Sequence, residues 1–214
     1  MNILTQVQQF FFPAFCSYCK DFLCDDTVLC KICLDRIKPI VTYPLQITKK
    51  YEVPVFSIGA YQDPLRTLLK AKHYRQRKTS HELGQLLWDM THISHQQFDV
   101  IVPVPLHWTR YAWRWFNQSK EIAYVLSKKS NKPLVSLLKR VQHTKFQTGL
   151  SRQERAANIE NVFSLGFNVN HYKNKHILLV DDVLTTGATL KEAVKVLRTA
   201  KPASIIIAVV ARVL

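Results

Sequence analysis

Acidic residues are scarce in this sequence, and long apolar runs are missing from it. The chain of 214 residues carries 15 Asp and Glu against 30 Lys and Arg, which gives a formal net charge of +15. Its longest apolar run, residues 205–211, has the length of a strand, whereas a helix that spans a bilayer needs roughly 20 such residues. An apolar share of 47% argues against disorder. A chain of this length buries roughly 70% of the surface that it exposes when unfolded, so we expect a folded protein of one or two domains.

Two common phosphate-binding motifs are also absent. The five glycines form neither G-x-x-x-x-G-K-[ST] nor a G-x-G-x-x-G that follows a strand. A P-loop nucleotide hydrolase and a dinucleotide-binding fold are therefore unsupported. The first 15 residues have no basic segment and contain Pro13, which does not match a signal peptide. We expect a cytoplasmic protein with no transmembrane segment.

Cysteine is absent after residue 33, and all five cysteines fall in one short segment. Cys16-x2-Cys19 and Cys30-x2-Cys33 each place two thiols on one tight turn, and together they supply the four ligands that zinc prefers. Disulfides are the alternative, which the lack of a secretion signal disfavours. Because a site with four thiolates has no open position for a catalytic water, we predict a structural zinc module over residues 1–40. Cys24 is left over, either as a spare small hydrophobe or as a ligand in place of one of the four.

The positive charge is concentrated in two parts of the chain. No acid interrupts the basic residues between Pro64 and His81, and only Glu121 interrupts those between Val100 and Gln153. Such a field attracts polyanions, which include nucleic acids and small ligands with several phosphates. Charge alone does not choose between these ligands, and a solubilising basic surface is the plain alternative.

Strands and helices alternate after residue 40. The pattern predicts strands over 53–61, 100–104, 134–138, 176–180 and 203–210. It predicts one helix that begins at Asp63-Pro64 and three more over 80–90, 119–126 and 190–197. The uninterrupted apolar residues 177–180 are typical of a strand buried on both faces of a parallel sheet. We therefore predict an α/β domain over residues 41–214, with helices on both faces of a parallel sheet. We also expect Phe10, Phe11, Phe12 and Phe15 to pack on this domain in preference to a partner.

The segment from Ile177 to Thr189 carries the most specific signal. Here a buried strand delivers Asp181 and Asp182 to the edge where parallel sheets bind their ligands, and a short loop then leads into a helix. Gly187 lets the backbone approach a ligand closely, and the loop amides and the helix N-terminus favour an anion. This arrangement predicts a monophosphate pocket, with sugar hydroxyls, or a magnesium ion held by the two carboxylates, beside it. The residues of the predicted pocket are Leu184, Thr185, Thr186, Gly187, Ala188 and Thr189.

This string resembles the phosphoribosyl pyrophosphate signature of the type I phosphoribosyltransferases. That signature has four apolar residues, two acids, a short variable stretch and Thr-Gly-x-Thr, and residues 177–189 follow this order with three residues, 183–185, in the variable stretch. The resemblance implies a type I phosphoribosyltransferase-like fold in which residues 184–189 bind the 5-phosphate of the ribose. It also implies that Asp181 and Asp182 are the catalytic pair that contacts the ribose hydroxyls, with magnesium bridging the pyrophosphate.

Over nearly its full length the chain also resembles the ComF family of competence-associated proteins. The shared features are Phe-Pro before two Cys-x-x-Cys pairs, Val-Pro-Val-Pro-Leu at 102–106, Phe-Asn-Gln at 116–118, Gln-Thr-Gly-Leu-Ser-Arg at 147–152 and the signature above. The resemblance implies a part in the uptake of single-stranded DNA during natural transformation, with other uptake proteins among the partners. The sequence departs from the family at Trp115, where the family usually has glycine. A bulky side chain at this position would narrow the loop that binds pyrophosphate.

If the protein is an active transferase, an acceptor attacks C1 of phosphoribosyl pyrophosphate while pyrophosphate leaves. Positive charge then develops on the ribose ring, and catalysis depends on positioning and electrostatics. The candidates for neutralising the leaving group are Lys72, Arg110 and Arg114. Residues 144–152, which include Arg152, have the position of the mobile lid in this fold. The sequence does not name the acceptor.

A protein that handles DNA without catalysis is the rival interpretation, and a scaffold that docks other uptake proteins through the zinc module is a third. Three of the four tryptophans lie within residues 108–115 and alternate there with arginines. This composition suits the stacking of unpaired bases and the pairing of phosphates, although packing in the core or under the lid is the alternative. The candidate DNA-binding residues are Trp108, Trp113, Trp115, Arg75 and Arg77.

Overall fold

The computed structural model describes residues 14–24, 27–40, 43–70, 76–106, 116–141, 162–166 and 169–214. Its elements in chain order are β1 (Ala14–Phe15), β2 (Phe22–Leu23), α1 (Lys31–Asp35), β3 (Leu45–Thr48), β4 (Tyr51–Val53), β5 (Val55–Ala60), α2 (Leu65–Lys70), α3 (Gln76–Met90), β6 (Val100–Pro103), α4 (Gln118–Ser130), β7 (Leu138–Arg140), β8 (Phe163–Leu165), β9 (His176–Leu184), α5 (Ala188–Arg198) and β10 (Ser204–Arg212). Two 3-10 helices cover His92–His95 and Val169–Tyr172.

A parallel sheet of four strands lies at the centre of this structure, in the order β5-β10-β9-β6. Ile207 of β10 pairs with Val55 on one side and with Leu179 on the other, and Leu179 pairs in turn with Val102 of β6. Nearly all residues of β6 and β10 are apolar and buried. The predicted parallel α/β architecture is confirmed.

Helices cover both faces of the sheet, because successive residues of a buried strand point to opposite faces. Leu178 and Val180 of β9 belong to a core that they share with the buried residues of α3 and α4. Ile177 and Leu179 belong to a second core, which contains the inward face of α5. The predicted inward residues of this helix, Leu190, Ala193, Val194 and Leu197, are all buried.

Several predicted elements differ from the structure in extent or partner. The strand predicted over 53–61 is interrupted at Pro54, where β4 ends its antiparallel pairing with β3 and β5 joins the central sheet. The helix predicted over 80–90 begins earlier, at Gln76. The strand predicted over 134–138 is wrong, since only Leu134 forms a bridge, to Ile101, and the chain next pairs through Leu138–Arg140 with Phe163–Leu165. That second pairing is antiparallel and lies outside the central sheet.

The cysteine-rich segment packs directly on the α/β part of the chain. Cys16, Leu23, Cys33 and Ile37 lie in the same core as residues of β5 and α2. A Cβ atom added to Gly59 of β5 would lie 3.0 Å from the carbonyl oxygen of Lys38, so a larger residue at this position would push the backbone at Lys38 outward. Phe15 differs from the expectation, because it is 44% exposed and its ring contacts Phe22 edge-on at 6.4 Å. Phe10, Phe11 and Phe12 lie outside the described residues.

None of the helices in the described ranges combines the length and the apolar content that crossing a bilayer requires.

Candidate functional site

Two adjacent carboxylates lie near the carboxyl end of β9. The strand continues past both of them to Leu184, because Asp181 pairs with Val209 of β10 and Val183 pairs with Ala211. Asp181 and Asp182 are therefore held by the central sheet itself, where the sequence alone predicted that the strand ends at Val180. Both side chains are partly buried.

The carboxyl group of Asp181 accepts two hydrogen bonds at one oxygen. The hydroxyl of Ser119 donates to Oδ1 over 2.8 Å, and the amide of Asp182 donates to the same atom over 2.9 Å. Desolvation and the neighbouring Asp182 raise the pKa of Asp181 to about 8, against the two hydrogen bonds, which lower it. Asp182 in turn accepts the amide of Val183 at its Oδ1, over 2.7 Å.

A short loop follows and turns into α5. Thr185 and Thr186 are exposed, Thr189 is partly buried, and Gly187 adopts a left-handed conformation with φ 77° just before the first helical residue, Ala188. A Cβ atom on Gly187 would lie 2.7 Å from Cδ1 of Leu45, so a larger residue here would also displace the side chain of Leu45 in β3. The exposed threonine hydroxyls and the amino end of an 11-residue helix give this loop the donors that an anion needs. Leu184, by contrast, is buried in the second core.

The first turn of α4 contacts the site through Asp181. Asn117, just before the helix, donates from Nδ2 to the carbonyl of Val104 at 3.0 Å, and Gln118 donates to the carbonyl of Leu69 at 3.5 Å. Ser119 completes the group through Asp181. The Phe-Asn-Gln motif marked this position in the sequence, but no role was predicted for it, and Ser119 was not predicted to belong to the site.

Most of the predicted cationic and aromatic candidates lie outside the described residues. These are Lys72, Arg75, Trp108, Arg110, Trp113, Arg114, Trp115 and Arg152, together with the predicted lid at 144–152. Arg77 is described, and its exposed guanidinium donates from Nε to Glu121 over 3.1 Å. The structure therefore brings together the acids and the loop of the predicted site, and it leaves the predicted pyrophosphate ligands untested.

A second polar cluster surrounds Glu121 on α3 and α4. Its carboxylate accepts from Arg77 and lies 2.9 Å from Nε2 of His81. Burial raises the pKa of Glu121, but the hydrogen bonds from Arg77 and His81 outweigh this effect and hold the pKa below its ordinary value. The ring of His81 stacks on that of Tyr124 at 5.8 Å, and Nζ of Lys128 lies 5.5 Å from the centre of the same tyrosine ring. A groove of about 500 Å³ runs beside this cluster, lined by Arg77, Lys78, His81, Glu82, Gln85 and Val125.

The four predicted metal ligands converge. The Sγ atoms of Cys16, Cys19, Cys30 and Cys33 all lie within 4.8 Å of one another, and those of Cys19 and Cys30 are 3.6 Å apart. Zinc–sulfur bonds of about 2.3 Å in a tetrahedron place sulfur atoms roughly 3.8 Å apart, so this group fits a zinc ion. Burial raises the pKa of Cys16, but hydrogen bonds from the amides of Cys30, Cys19 and Tyr18 outweigh it and hold that pKa at about 6. None of the five cysteines forms a disulfide, and Cys24 does not belong to the converging group.

Parts of this chain are similar in sequence to known proteins. Residues 118–214 match the model of the phosphoribosyl transferase domain family. Competence protein F of Haemophilus influenzae is 36% identical over 148 residues, which are 66% of this chain and 65% of that protein. Competence protein ComFC of Bacillus subtilis is 36% identical over 107 residues, which are 50% of this chain and 41% of that protein. DNA utilization protein YhgH of Escherichia coli K12 is 34% identical over 149 residues, which are 66% of this chain and 64% of that protein.

The chain thus spans just under two thirds of the length of the first of these relatives. Among solved structures, the glutamine phosphoribosylpyrophosphate amidotransferase of Bacillus subtilis aligns with a TM-score of 0.41 at 19% identity, over 64% of this chain and 26% of that one. The assignment of the fold rests on the order and direction of the strands and on the family match.

Proposed function

Because the chain belongs to the ComF family, we propose that it acts in the uptake or use of DNA and binds phosphoribosyl pyrophosphate at residues 181–189. The observation that carries the proposal is the junction of β9 and α5. Two partly buried carboxylates lie there beside a loop with two exposed threonines and a left-handed glycine at the amino end of a helix. A sugar phosphate needs both groups of partners in one place, since its phosphate is an acceptor and its hydroxyls are donors.

In this proposal each part of the ligand has its own partners. The 5-phosphate binds the loop of Thr185, Thr186, Gly187 and Ala188 together with Thr189, and the ribose hydroxyls bind the carboxylates of Asp181 and Asp182. Magnesium bound with the pyrophosphate supplies positive charge to the leaving group, and carboxylate oxygens such as those of Asp182 are the hard donors that this ion prefers. Lys72, Arg110, Arg114 and Arg152 are the proposed partners of the pyrophosphate.

Transfer of the phosphoribosyl group to an acceptor is the proposed reaction. A bond forms between the acceptor and C1 of the ribose while the bond from C1 to pyrophosphate breaks, and pyrophosphate leaves with the electron pair of that bond. The chain contributes orientation, because the fixed carboxylates and loop hold the ribose while C1 reacts. Asp182, and Asp181 in its ionised form, also place negative charge near a ring that becomes positive in the transition state.

Calorimetry with magnesium and phosphoribosyl pyrophosphate tests the proposed ligand. We expect the unmodified protein to bind it, and Asp182→Asn or Thr186→Ala to weaken binding about tenfold or more, as expected for lost hydrogen bonds to charged groups. Thr199→Ala is the matched control, because Thr199 lies at the other end of α5 and donates its hydroxyl to Val196. Absence of binding by the unmodified protein contradicts the proposal.

A second candidate function, contact with single-stranded DNA, is favoured by the cluster on α3 and α4. Tyr124 is 45% exposed, stacks on His81 and has the ammonium group of Lys128 near its ring, while Arg77 is exposed nearby. Unpaired bases bind to exposed aromatic rings whose surroundings are positively charged. We propose that this surface adds to the tryptophans and arginines predicted from the sequence, with or without transferase activity.

Titration with labelled single-stranded DNA over a series of salt concentrations tests this second function. We expect affinity to fall steeply with salt, and Tyr124→Ala to weaken binding about fivefold or more through the loss of one stacked base. Tyr51→Ala is the matched control, because the ring of Tyr51 also lies near a cation, at 4.2 Å from the guanidinium of Arg198, but on the α5 side of the sheet. Binding that is absent or insensitive to salt contradicts direct contact with DNA.

A further inference from the structure

Ser119 is a buried hydroxyl that faces the candidate site. It lies in the first turn of α4, its residue is 3% exposed, and its Oγ donates to Oδ1 of Asp181 over 2.8 Å. The two residues are 62 positions apart in the sequence. Packing alone does not require a hydroxyl at this position, because an apolar residue of similar size would fill the same space. The hydroxyl adds a hydrogen bond to the carboxyl group of Asp181.

A second hydrogen bond to the same oxygen fixes the orientation of the Asp181 carboxyl group. The amide of Asp182 donates to the same Oδ1 over 2.9 Å. A carboxylate oxygen has two lone pairs, so Ser119 and this amide together occupy Oδ1. The side chain of Asp181 is thereby fixed in rotation, and Oδ2 is the oxygen that neither of these two donors occupies.

The neighbours of Ser119 hold its helix in place. Asn117 donates to the carbonyl of Val104, the residue after β6, and Gln118, which is 4% exposed, donates to the carbonyl of Leu69 in α2. Three consecutive side chains therefore attach the start of α4 to the residue after a strand, to a helix and to the carboxylate of Asp181. With the helix fixed in this way, the hydroxyl of Ser119 has a constant position relative to β9.

We propose that Ser119 is a positioning residue of the candidate site, which occupies Oδ1 of Asp181 so that Oδ2 faces a ribose hydroxyl. The inference rests on the proposed function, since it assigns the partner of Asp181 on the protein side. It predicts that Ser119 and the loop of residues 185–189 act on different parts of the ligand. Ser119 contributes to the binding of the sugar through Asp181, and it contributes nothing to the binding of the phosphate by residues 185–189.

Calorimetry with two probes tests this division. Inorganic phosphate requires only the loop, whereas ribose 5-phosphate requires the loop and the carboxylates. We expect Ser119→Ala to weaken the binding of ribose 5-phosphate about tenfold and to leave that of inorganic phosphate within twofold. Ser119→Thr retains the hydroxyl and should restore most of the loss. Ser127→Ala is the matched control, because Ser127 lies two turns further along α4 and donates to the carbonyl of Lys132.

A double-mutant cycle with Asp181→Ala shows whether the effect passes through Asp181. In that background Ser119→Ala should have no further effect on the binding of ribose 5-phosphate. Equal loss of both probes, or an effect that persists without Asp181, overturns the inference and leaves the proposed function standing. If the unmodified protein binds neither ribose 5-phosphate nor phosphoribosyl pyrophosphate, the proposed function fails and the inference fails with it. Thermal unfolding of each variant identifies any that has lost its fold.

Discussion

At the scale of single residues, Asp181 is a carboxyl group for which the folded chain favours the protonated form. Desolvation and the charge of Asp182 raise its pKa to about 8, whereas an unfolded aspartate titrates near pH 4, at about 3.9. The folded state therefore holds one more proton than the unfolded state between these values. The contribution of Asp181 to stability is fully present below pH 4 and is lost as the pH rises towards 8.

Asp181→Asn tests this reasoning, because asparagine keeps an oxygen for Ser119 and the amide of Asp182 but carries no charge. We expect its free energy of unfolding to exceed that of the unmodified protein by several kcal/mol at pH 8, because each pH unit between the two pKa values contributes about 1.4 kcal/mol, and by much less at pH 4. Urea unfolding at the two pH values measures the difference. Asp63→Asn is the control of opposite sign, because hydrogen bonds from Arg66 and Thr67 lower the pKa of Asp63. A stability difference for Asp181→Asn that does not change with pH contradicts the raised pKa.

At the scale of elements, the contact of α3 with α4 depends on one glycine. A Cβ atom on Gly84 would lie 2.8 Å from Cβ of Val125 and 3.1 Å from the carbonyl oxygen of Ile122. Glycine is costly inside a helix by about 1 kcal/mol relative to alanine. Its presence at this position is explained by the close approach of the two helices, which also brings the Glu121 cluster together.

Gly84→Ala should therefore destabilise the protein although it improves the propensity of α3. We expect a net loss of about 1–2 kcal/mol, because overpacking costs about 1–3 kcal/mol and the gain in propensity offsets only part of it. Thermal unfolding measures the change, and Gln85→Ala, on the groove side of the same helix, is the control. A variant that melts above the unmodified protein would show that the helices separate without cost.

Features that depend on local sequence could be predicted, whereas those that depend on contacts between distant residues could not. The apolar run of β9 and the amphipathic pattern of α5 predicted both elements and the placement of residues 181–189 where they meet, because these signals are local. The extension of β9 through its acids depends on pairing with Val209 and Ala211, which local pattern does not contain. The strand at Leu138–Arg140 was mispredicted because its partner, Phe163–Leu165, is distant in the sequence. Ser119 was missed for the same reason, since its contact spans 62 positions.

At the scale of the whole molecule, the four-cysteine group and the sheet share one core. Cys16 and Cys33 are buried together with Leu65 and Leu68 of α2. A structural zinc ion contributes its binding free energy to folding. Loss of the metal should therefore affect the stability of the complete protein and not only that of its first 40 residues.

Removal of zinc with a strong chelator is expected to lower the melting temperature by several degrees, in a single transition. Metal analysis should find one zinc ion per chain in the unmodified protein and in Cys24→Ser, whose thiol lies outside the converging group. Cys33→Ser should lose the metal and melt like the chelated protein. A metal-free protein with an unchanged melting temperature contradicts a structural zinc site.

The close approach of Lys38 to Gly59 has a practical consequence for work with shortened versions of the chain. The sequence suggests a cut after residue 40, between the predicted zinc module and the predicted α/β domain. A fragment that begins at residue 41 would leave the surface of β5 at Gly59 and the inner side of Leu65 without the cover of Ile37 and Lys38. Such a fragment would expose core residues to water and tend to aggregate. A failure of that fragment to bind phosphoribosyl pyrophosphate or DNA would thus result from the cut and would not show that the complete protein lacks the function.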